Sequence, residues 1–562
     1  MPDYFSSPCF LTFSLIFHFS QLYLFLFYIN FGFYCAIYIY IYIYMGASPS
    51  PSQSDHTMSS HPLLMLILIV FLPSFLLLLS IKYGKQSLQA KRLPPGPRRL
   101  PLVGNLHQLM NPIHRSLQHL AKEYGPIMFL QLGSIPTIII SSADMVREIF
   151  KKHDLVFSGR PILYSAKKFS YNCSGLSSAP YGEKWREMRK IVIVELLSAK
   201  RVQSFQAVRE EEVSLMLDSV ACSSVPINLS DLSVVLSNNV ICRVALGRKC
   251  DGRFIGESGG LNDLLREAQQ LLGGFCIADF FPWMGWLCKF NGLEARVEKN
   301  FKEFDKLYDK LLQEHLDPRR PKPEHEDLVD VLLRLQKDPN REVELSDDSI
   351  KSALMDMFIA GTDTSSATLV WTMTELIRNP YAMRRVQEEV RRVSKGKEMV
   401  QESDLPQLVY LKSVVKESLR VHPPAPLLVP RETIEDCKIG DYEIPARTRV
   451  YISASSISMD PKSWKNPEEF RPERFLHSSI DFSGQHYELI PFGFGRRGCP
   501  GMNFSIVLIE LALANLLHRY NWELPQGVTR EDLDMEEAFG ITMHKKTPLF
   551  VVASPVQYCA GH

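Results

Sequence analysis

The sequence predicts a mainly helical fold with small β-sheets, carried on an N-terminal single-span membrane anchor. Three observations predict it. Apolar residues recur at helical spacing through most of the chain, as in Val202 to Val220, Leu264 to Leu272 and about Asp347 to Arg378. The β-like runs after the first helix are short: Ile127 to Leu132 and Thr137 to Ser141, with Gly133 and Pro136 in the turn between them. The uncharged stretch Pro62 to Ile81 has about the length of one bilayer span.

Composition narrows the function classes. Of 562 residues, 46% are hydrophobic and 22% charged, the balance of an ordinary folded protein. The net charge of +1 offers no electrostatic footprint for nucleic acid. The 11 cysteines are scattered without a CxxC, which reads as free thiols in a reducing compartment and not as a disulfide framework.

Taken in order, the first segment is the least like a protein domain. Phe10 to Tyr44 is aromatic, uncharged and too long for one span. It ends in Ile37 to Tyr44, an Ile–Tyr alternation that a translated AT dinucleotide repeat would encode. Residues 1–57 are therefore expected to be spurious, with Met58 as the start and 562 − 57 = 505 residues remaining. A second span or hairpin is the alternative. Residues 58–93 form the anchor and its basic flank. Lys82, Lys85, Lys91, Arg92, Arg98 and Arg99 follow the apolar run and assign the rest of the chain to the cytosol. Because no A-x-A-like site follows it, a retained anchor is expected and not a cleaved signal.

Residues 94–562 form the folded part, opening with Pro94-Pro95-Gly96-Pro97, a stiff hinge. A helical pattern over His114 to Tyr124 precedes the two β runs. Phe280 to Leu287 is a dense aromatic patch, read either as core or as a membrane-side lid that admits apolar substrates. Asp317 to Glu326 is charged and proline-rich, an exposed linker. Gly256-Glu257-Ser258-Gly259-Gly260 matches a hydrolase nucleophile elbow, but the polar Lys249 to Arg253 before it is not the strand an elbow needs.

The chemistry concentrates near the C-terminus, in Pro491-Phe492-Gly493-Phe494-Gly495-Arg496-Arg497-Gly498-Cys499-Pro500-Gly501. A cysteine thiolate can hold haem iron from one side and push electron density into it. Gly493, Gly495, Gly498 and Gly501 let backbone approach a flat ring, and their amides can point at the sulfur. Arg497 supplies a fork for a haem propionate, and Pro500 suits the first turn of a helix over Met502 to Leu517. The same residues satisfy G-x-G-x-x-G. The dinucleotide reading fails because Arg519 and Tyr520 stand where its acid belongs.

A second constellation is Ala360-Gly361-Thr362-Asp363-Thr364-Ser365 inside the helical stretch to Arg378. Ala360 and Gly361 lie four and three residues before Thr364, so all three are expected on one face, with small residues beside a hydroxyl. Thr364 can hydrogen-bond a small ligand there, and Asp363 can relay protons from solvent. The alternative is a helix with a Gly defect and back-bonded hydroxyls.

The cysteine stretch resembles the haem-binding signature of the cytochrome P450 superfamily: Phe492, Gly495, Arg497, Cys499 and Gly501 fill every slot. Ala360 to Ser365 resembles the family's oxygen-activation motif. The resemblance runs from Pro94 to about Ala553, and the wording is most like plant A-type microsomal members. It implies the cytochrome P450 fold and haem b, with O2 and NADPH-derived electrons delivered by NADPH–cytochrome P450 reductase. It implies that Trp185 and Arg189 reach a haem propionate, and that Glu417, Arg420 and Arg474 form a buried charge network. Lys184, Arg186 and Lys190 could form a docking patch for the acidic reductase. Ala360, Gly361, Leu427, Leu428, Phe539 and Ile541 become substrate-pocket candidates. The expected function is monooxygenation of a small lipophilic plant metabolite at the endoplasmic reticulum membrane, by a cytosol-facing domain in contact with membrane lipid. A non-catalytic haem-binding membrane protein is the alternative.

Overall fold

In order along the chain, helix α1 (Ile113–Tyr124) leads into strands β1 (Ile127–Leu132) and β2 (Ile135–Ile140). Helices α2 (Ala143–His153), α3 (Tyr164–Phe169), α4 (Glu183–Ile191), α5 (Ala199–Ser204) and α6 (Gln206–Ala221) follow. Then come β3 (Ile227–Asn228), α7 (Leu229–Leu246), α8 (Leu261–Gly273), α9 (Leu293–Leu316), α10 (Leu328–Gln336), α11 (Asp347–Arg378), α12 (Pro380–Ser394) and α13 (Val409–Val421). The C-terminal part carries β4 (Arg431–Glu432), β5 (Cys437–Ile439), β6 (Tyr442–Ile444), β7 (Arg449–Ile452), α14 (Ala454–Ser458), α15 (Met502–Arg519), β8 (Tyr520–Glu523) and β9 (Phe550–Pro555). This computed structural model describes residues 92–556 except 111, 224–225, 250–259, 322–325, 342, 395 and 539. The expected anchor, the segment before it, the Ser258 loop and Phe539 lie outside the described residues.

Strand alternation builds a two-faced sheet. Its order is β1-β2-β7-β4, antiparallel between β1 and β2 and parallel between β2 and β7. Ile127, Phe129, Ile138 and Ile140 feed one apolar cluster, while Met128, Leu130, Leu132 and Ile139 feed another. Both faces are covered, so the strands read as nearly continuous apolar runs. Pro136, expected in the turn, is instead the second residue of β2, opposite Gln131. Pairing to β7 begins only at Thr137, so the missing Pro136 N–H removes nothing from that ladder.

Helix α11 organises the rest. Ser346 caps it through the Ser349 amide, and Pro380 follows its C-cap Asn379 and opens α12. From Ser365 to Ile377 every residue is buried, because α11 runs through the main core with neighbours on all sides. Its closest approach is to α7: a Cβ on Gly361 would stand 2.6 Å from Ile241 Cδ1. Helix α7 is long and apolar enough to cross a membrane by length and composition, but it is largely buried in this core. The helical stretch expected over Val202 to Val220 is broken at Phe205, which leaves helical geometry between α5 and α6.

The aromatic patch is not core. Trp283 is 66% and Trp286 57% exposed, on a 3-10 segment over Pro282–Lys289. The segment is tied to the β1–β2 turn through the Ser134 amide and the Phe280 carbonyl, 2.9 Å apart.

A buried ion cluster ties α13 to the segment from Arg471 to Arg474. Glu417 on α13 accepts from Arg420 Nε and Nη2 at 2.8 and 2.9 Å and from Arg474 Nε at 2.9 Å. The Arg471 amide donates to the same carboxylate at 2.7 Å. Arg420 Nη1 and Nη2 also donate to the Ser458 and Glu469 carbonyls, so the charge is fully bonded although both Glu417 and Arg420 are inaccessible.

Two predictions follow from these packings. Replacing Glu417 with Ala strands two guanidiniums and should cost about 3–5 kcal/mol in urea denaturation. A loss below about 1 kcal/mol would reduce the cluster to a surface-type pair. Glu510 on α15 forms part of the wall of a cavity of about 650 Å³, with Lys412, Lys416 and Asp481 around it. Burial pushes its carboxyl up to about 7, against the pull of the two lysines. The unfolded chain releases that proton near pH 4.3, so the native state binds more protons between there and pH 7. Stability should therefore fall as pH rises through that window, by up to roughly 3 kcal/mol, and Glu510→Gln should flatten the slope. An unchanged slope in the variant would contradict the assignment.

Candidate active site

The cysteine loop is shaped by two left-handed glycines. Gly493 and Gly495 have φ of 69° and 65°. A Cβ on Gly495 would also stand 2.3 Å from Asp154 Oδ1, so no other residue fits there. The loop closes on itself where the Cys499 amide donates to the Phe492 carbonyl at 2.8 Å. Helix α15 starts at Met502 with Gly501 as its N-cap, so Pro500 lies just outside the helix and not in its first turn.

Cys499 has exposed surface, yet protein surrounds it and burial pushes its thiol pKa up. The two facts together describe a cysteine that borders open space while protein packs closely around it. The Gly501 and Met502 amides and the Arg189 charge act in the opposite direction and favour the thiolate. These are donors aimed at sulfur from the start of a helix, the arrangement that suits a thiolate ligand.

The middle of α11 is also open. Ala360 is exposed and Thr364 half-buried, although the helix is buried on both sides of them. Thr364 Oγ1 donates to the Ala360 carbonyl at 2.7 Å. Gly361 does not share their opening: the site of its missing side chain faces Ile241, and its smallness serves the α7 contact. Asp363 is held by His544, with Nε2 to Oδ1 at 2.6 Å, while Asp363 Oδ2 is buried without a hydrogen-bond partner.

Arginines gather beside the cysteine loop. Arg189 Nη2 donates to the Gly498 carbonyl at 2.9 Å. The Arg497 fork is largely engaged by backbone: Nε, Nη1 and Nη2 donate to the carbonyls of Ser158, Leu176 and Ala179 at 2.8, 3.3 and 2.6 Å. Its guanidinium lies 4.2 Å from the Trp185 ring centre. Trp185 gives its one N–H to the Leu176 carbonyl at 3.0 Å, so it flanks the cluster and donates nothing further into it. Two arginines the sequence reading missed complete the group. Arg160 donates to the Val429 and Pro430 carbonyls, and its buried Nε has no partner. Arg431 donates to the Phe494 carbonyl at 2.7 Å.

These charges repel one another. Burial, then Arg431 and Arg189, lowers Arg497 to about 9. Burial lowers Arg431 to about 10, with Asp154 opposing. Burial, then Arg497 and Arg431, holds Arg160 well below its usual value, with Asp356 opposing. Four crowded guanidiniums facing so little negative charge form a cradle for a dianion. The two propionates of a haem fit that charge, and Cys499 supplies the soft ligand for its iron. The residues present therefore fit the group.

Among the pocket candidates, Leu427 and Leu428 are half-buried and Ile541 is exposed. Leu428 Cδ1 lies 3.8 Å from where a Cβ on Gly493 would stand, so this loop touches the cysteine loop. Leu428 holds a left-handed φ of 51°, rare for a bulky residue and characteristic of functional loops.

Comparison with known proteins agrees. A family model described as Cytochrome P450 matches residues 94–552. Cytochrome P450 71A9 of Glycine max is 59% identical over 86% of this chain and 98% of that protein. Strychnine-11-hydroxylase of Strychnos nux-vomica is 54% identical over 88% of this chain and 97% of that protein. A zebra fish cytochrome P450 solved with progesterone superposes with a TM-score of 0.67 at 25% identity, over 79% of this chain and all of that one. These relatives favour the monooxygenase over a non-catalytic haem binder. The chain belongs to the cytochrome P450 family, similar to its plant A-type members, and is a haem b monooxygenase that uses O2 and NADPH-derived electrons.

Proposed function

We propose that the enzyme oxygenates a small lipophilic plant metabolite, with Cys499 as the iron ligand. The observation that carries this is the exposed Cys499, closely surrounded by protein, beside buried arginines with little counter-charge. Haem so held supplies O2 activation, one oxygen atom going to substrate and one to water. Arg160, Arg189, Arg431 and Arg497 neutralise its propionates. Leu427, Leu428 and Ile541 orient an apolar substrate and exclude water. Ala360 leaves room beside Thr364, whose hydroxyl turns from the Ala360 carbonyl to donate at the reacting position, and Asp363 supplies protons there. The strychnine hydroxylase relative makes an alkaloid-like substrate one member of the class to test.

Electrons come from NADPH–cytochrome P450 reductase. Lys184, Arg186 and Lys190 on α4 are exposed, which supports docking of an acidic partner there. The protein is anchored in the endoplasmic reticulum membrane by residues 58–93 and faces the cytosol. Exposed Trp283, Trp286 and Phe290 support contact of the domain with lipid. Residues 1–57 are not part of the functional protein. In support, 86% of this chain suffices to match 98% of a relative.

The test is oxygen labelling. With reductase, NADPH, 18O2 and a panel of alkaloids, terpenoids and phenylpropanoids, a product should gain one 18O atom. Thr364→Ala should lower product per NADPH by about 100-fold, with hydrogen peroxide released instead. Product labelled from water, or oxidation that does not require O2, would overturn the proposal.

A further inference from the structure

We propose that His544 is a positioning residue for Asp363 that also passes it protons from solvent. The inference rests on the reading of Asp363 as the relay acid. His544 is far away in sequence, on the loop between β8 and β9, yet its ring meets Asp363 Oδ1 at 2.6 Å. Its backbone is fixed on both sides. The preceding Met543 carbonyl accepts from Trp371 Nε1 at 3.0 Å, and the Met543 amide donates to the Pro424 carbonyl at 2.9 Å. The His544 carbonyl accepts from the Ala538 amide at 2.8 Å. Trp371 and Asp363 both belong to α11, two turns apart, so one helix holds the loop and receives its imidazole.

The accessibility runs in the right direction. The His544 side chain is 33% exposed and that of Asp363 is 18% exposed. The remaining carboxylate oxygen, Oδ2, is buried and unpartnered. Asp363 therefore has one oxygen bonded to the imidazole and one buried oxygen open to a proton. A buried carboxylate oxygen without a donor is costly, and its retention indicates a position to which a proton is delivered. Imidazole is the side chain suited to exchange protons with water near neutral pH. In the step, the doubly protonated His544 ring gives its Nε2 proton to the Asp363 carboxylate, so that one N–H bond breaks and one O–H bond forms at Oδ1, and the neutral ring is reprotonated by a hydronium ion from solvent, which is left as water.

The experiment uses the full haem-loaded chain with reductase and no added substrate. NADPH oxidation is followed in H2O and D2O for wild type, Asp363→Asn, His544→Ala and His544→Gln. Gln can still donate to Asp363 but cannot pass protons. His544→Gln should slow oxidation about 10-fold or more and raise the solvent isotope effect, with an unchanged haem spectrum. A wild-type rate in His544→Gln with a slow Asp363→Asn would overturn the role of His544 and leave Asp363 as the relay. A wild-type rate in Asp363→Asn would remove the reading on which the inference rests. A second readout is independent of turnover. Melting shifts of Asp363→Asn and His544→Ala should be non-additive in the double variant. Additive shifts would contradict the contact.

Discussion

A thiol enclosed by protein, with two backbone amides and a guanidinium opposing the effect of its burial, is the constraint on which the structure depends. Burial alone would keep Cys499 protonated. The Gly501 and Met502 amides and Arg189 oppose that, and they can do so only if the loop turns sharply into α15. Gly493 and Gly495 allow the turn, and the Cys499–Phe492 backbone bond closes it. Phe492 in turn packs against Phe482 at 5.3 Å. The Glu417 cluster fixes the neighbouring segment through the Arg471 amide and the Arg474 guanidinium. The scaffold around the cysteine is rigid because its polar groups are satisfied by backbone as well as by each other.

The arginine cradle is the opposite case. Arg160, Arg431 and Arg497 are buried, mutually repelling and only weakly opposed by acids. Such a group is unfavourable in isolation. Backbone carbonyls hold it in place, and a dianionic ligand balances it. The same interactions that destabilise the bare site therefore favour binding of a haem.

Legibility in the sequence followed distance along the chain. The cysteine loop and the Ala360–Ser365 segment could be read because their parts are local and spaced by helix and turn geometry. The bounds of α11 were legible from helical periodicity. Arg160, Arg431 and His544 were not, since each is a single residue outside any helix whose partner lies far away in sequence. No periodicity marks such a residue. The purpose of Gly361 was misread for a related reason: its neighbour Ile241 comes from another helix. The exposed aromatic segment shows a further limit, since composition alone does not separate core from exposed surface.

The most direct test of the central claim is the carbon monoxide difference spectrum of the reduced protein, wild type against Cys499→Ala. A red-shifted Soret band in wild type that is absent from the variant is the predicted result. A pigmented, folded wild type without that band would mean that another residue ligates the iron, contradicting the account.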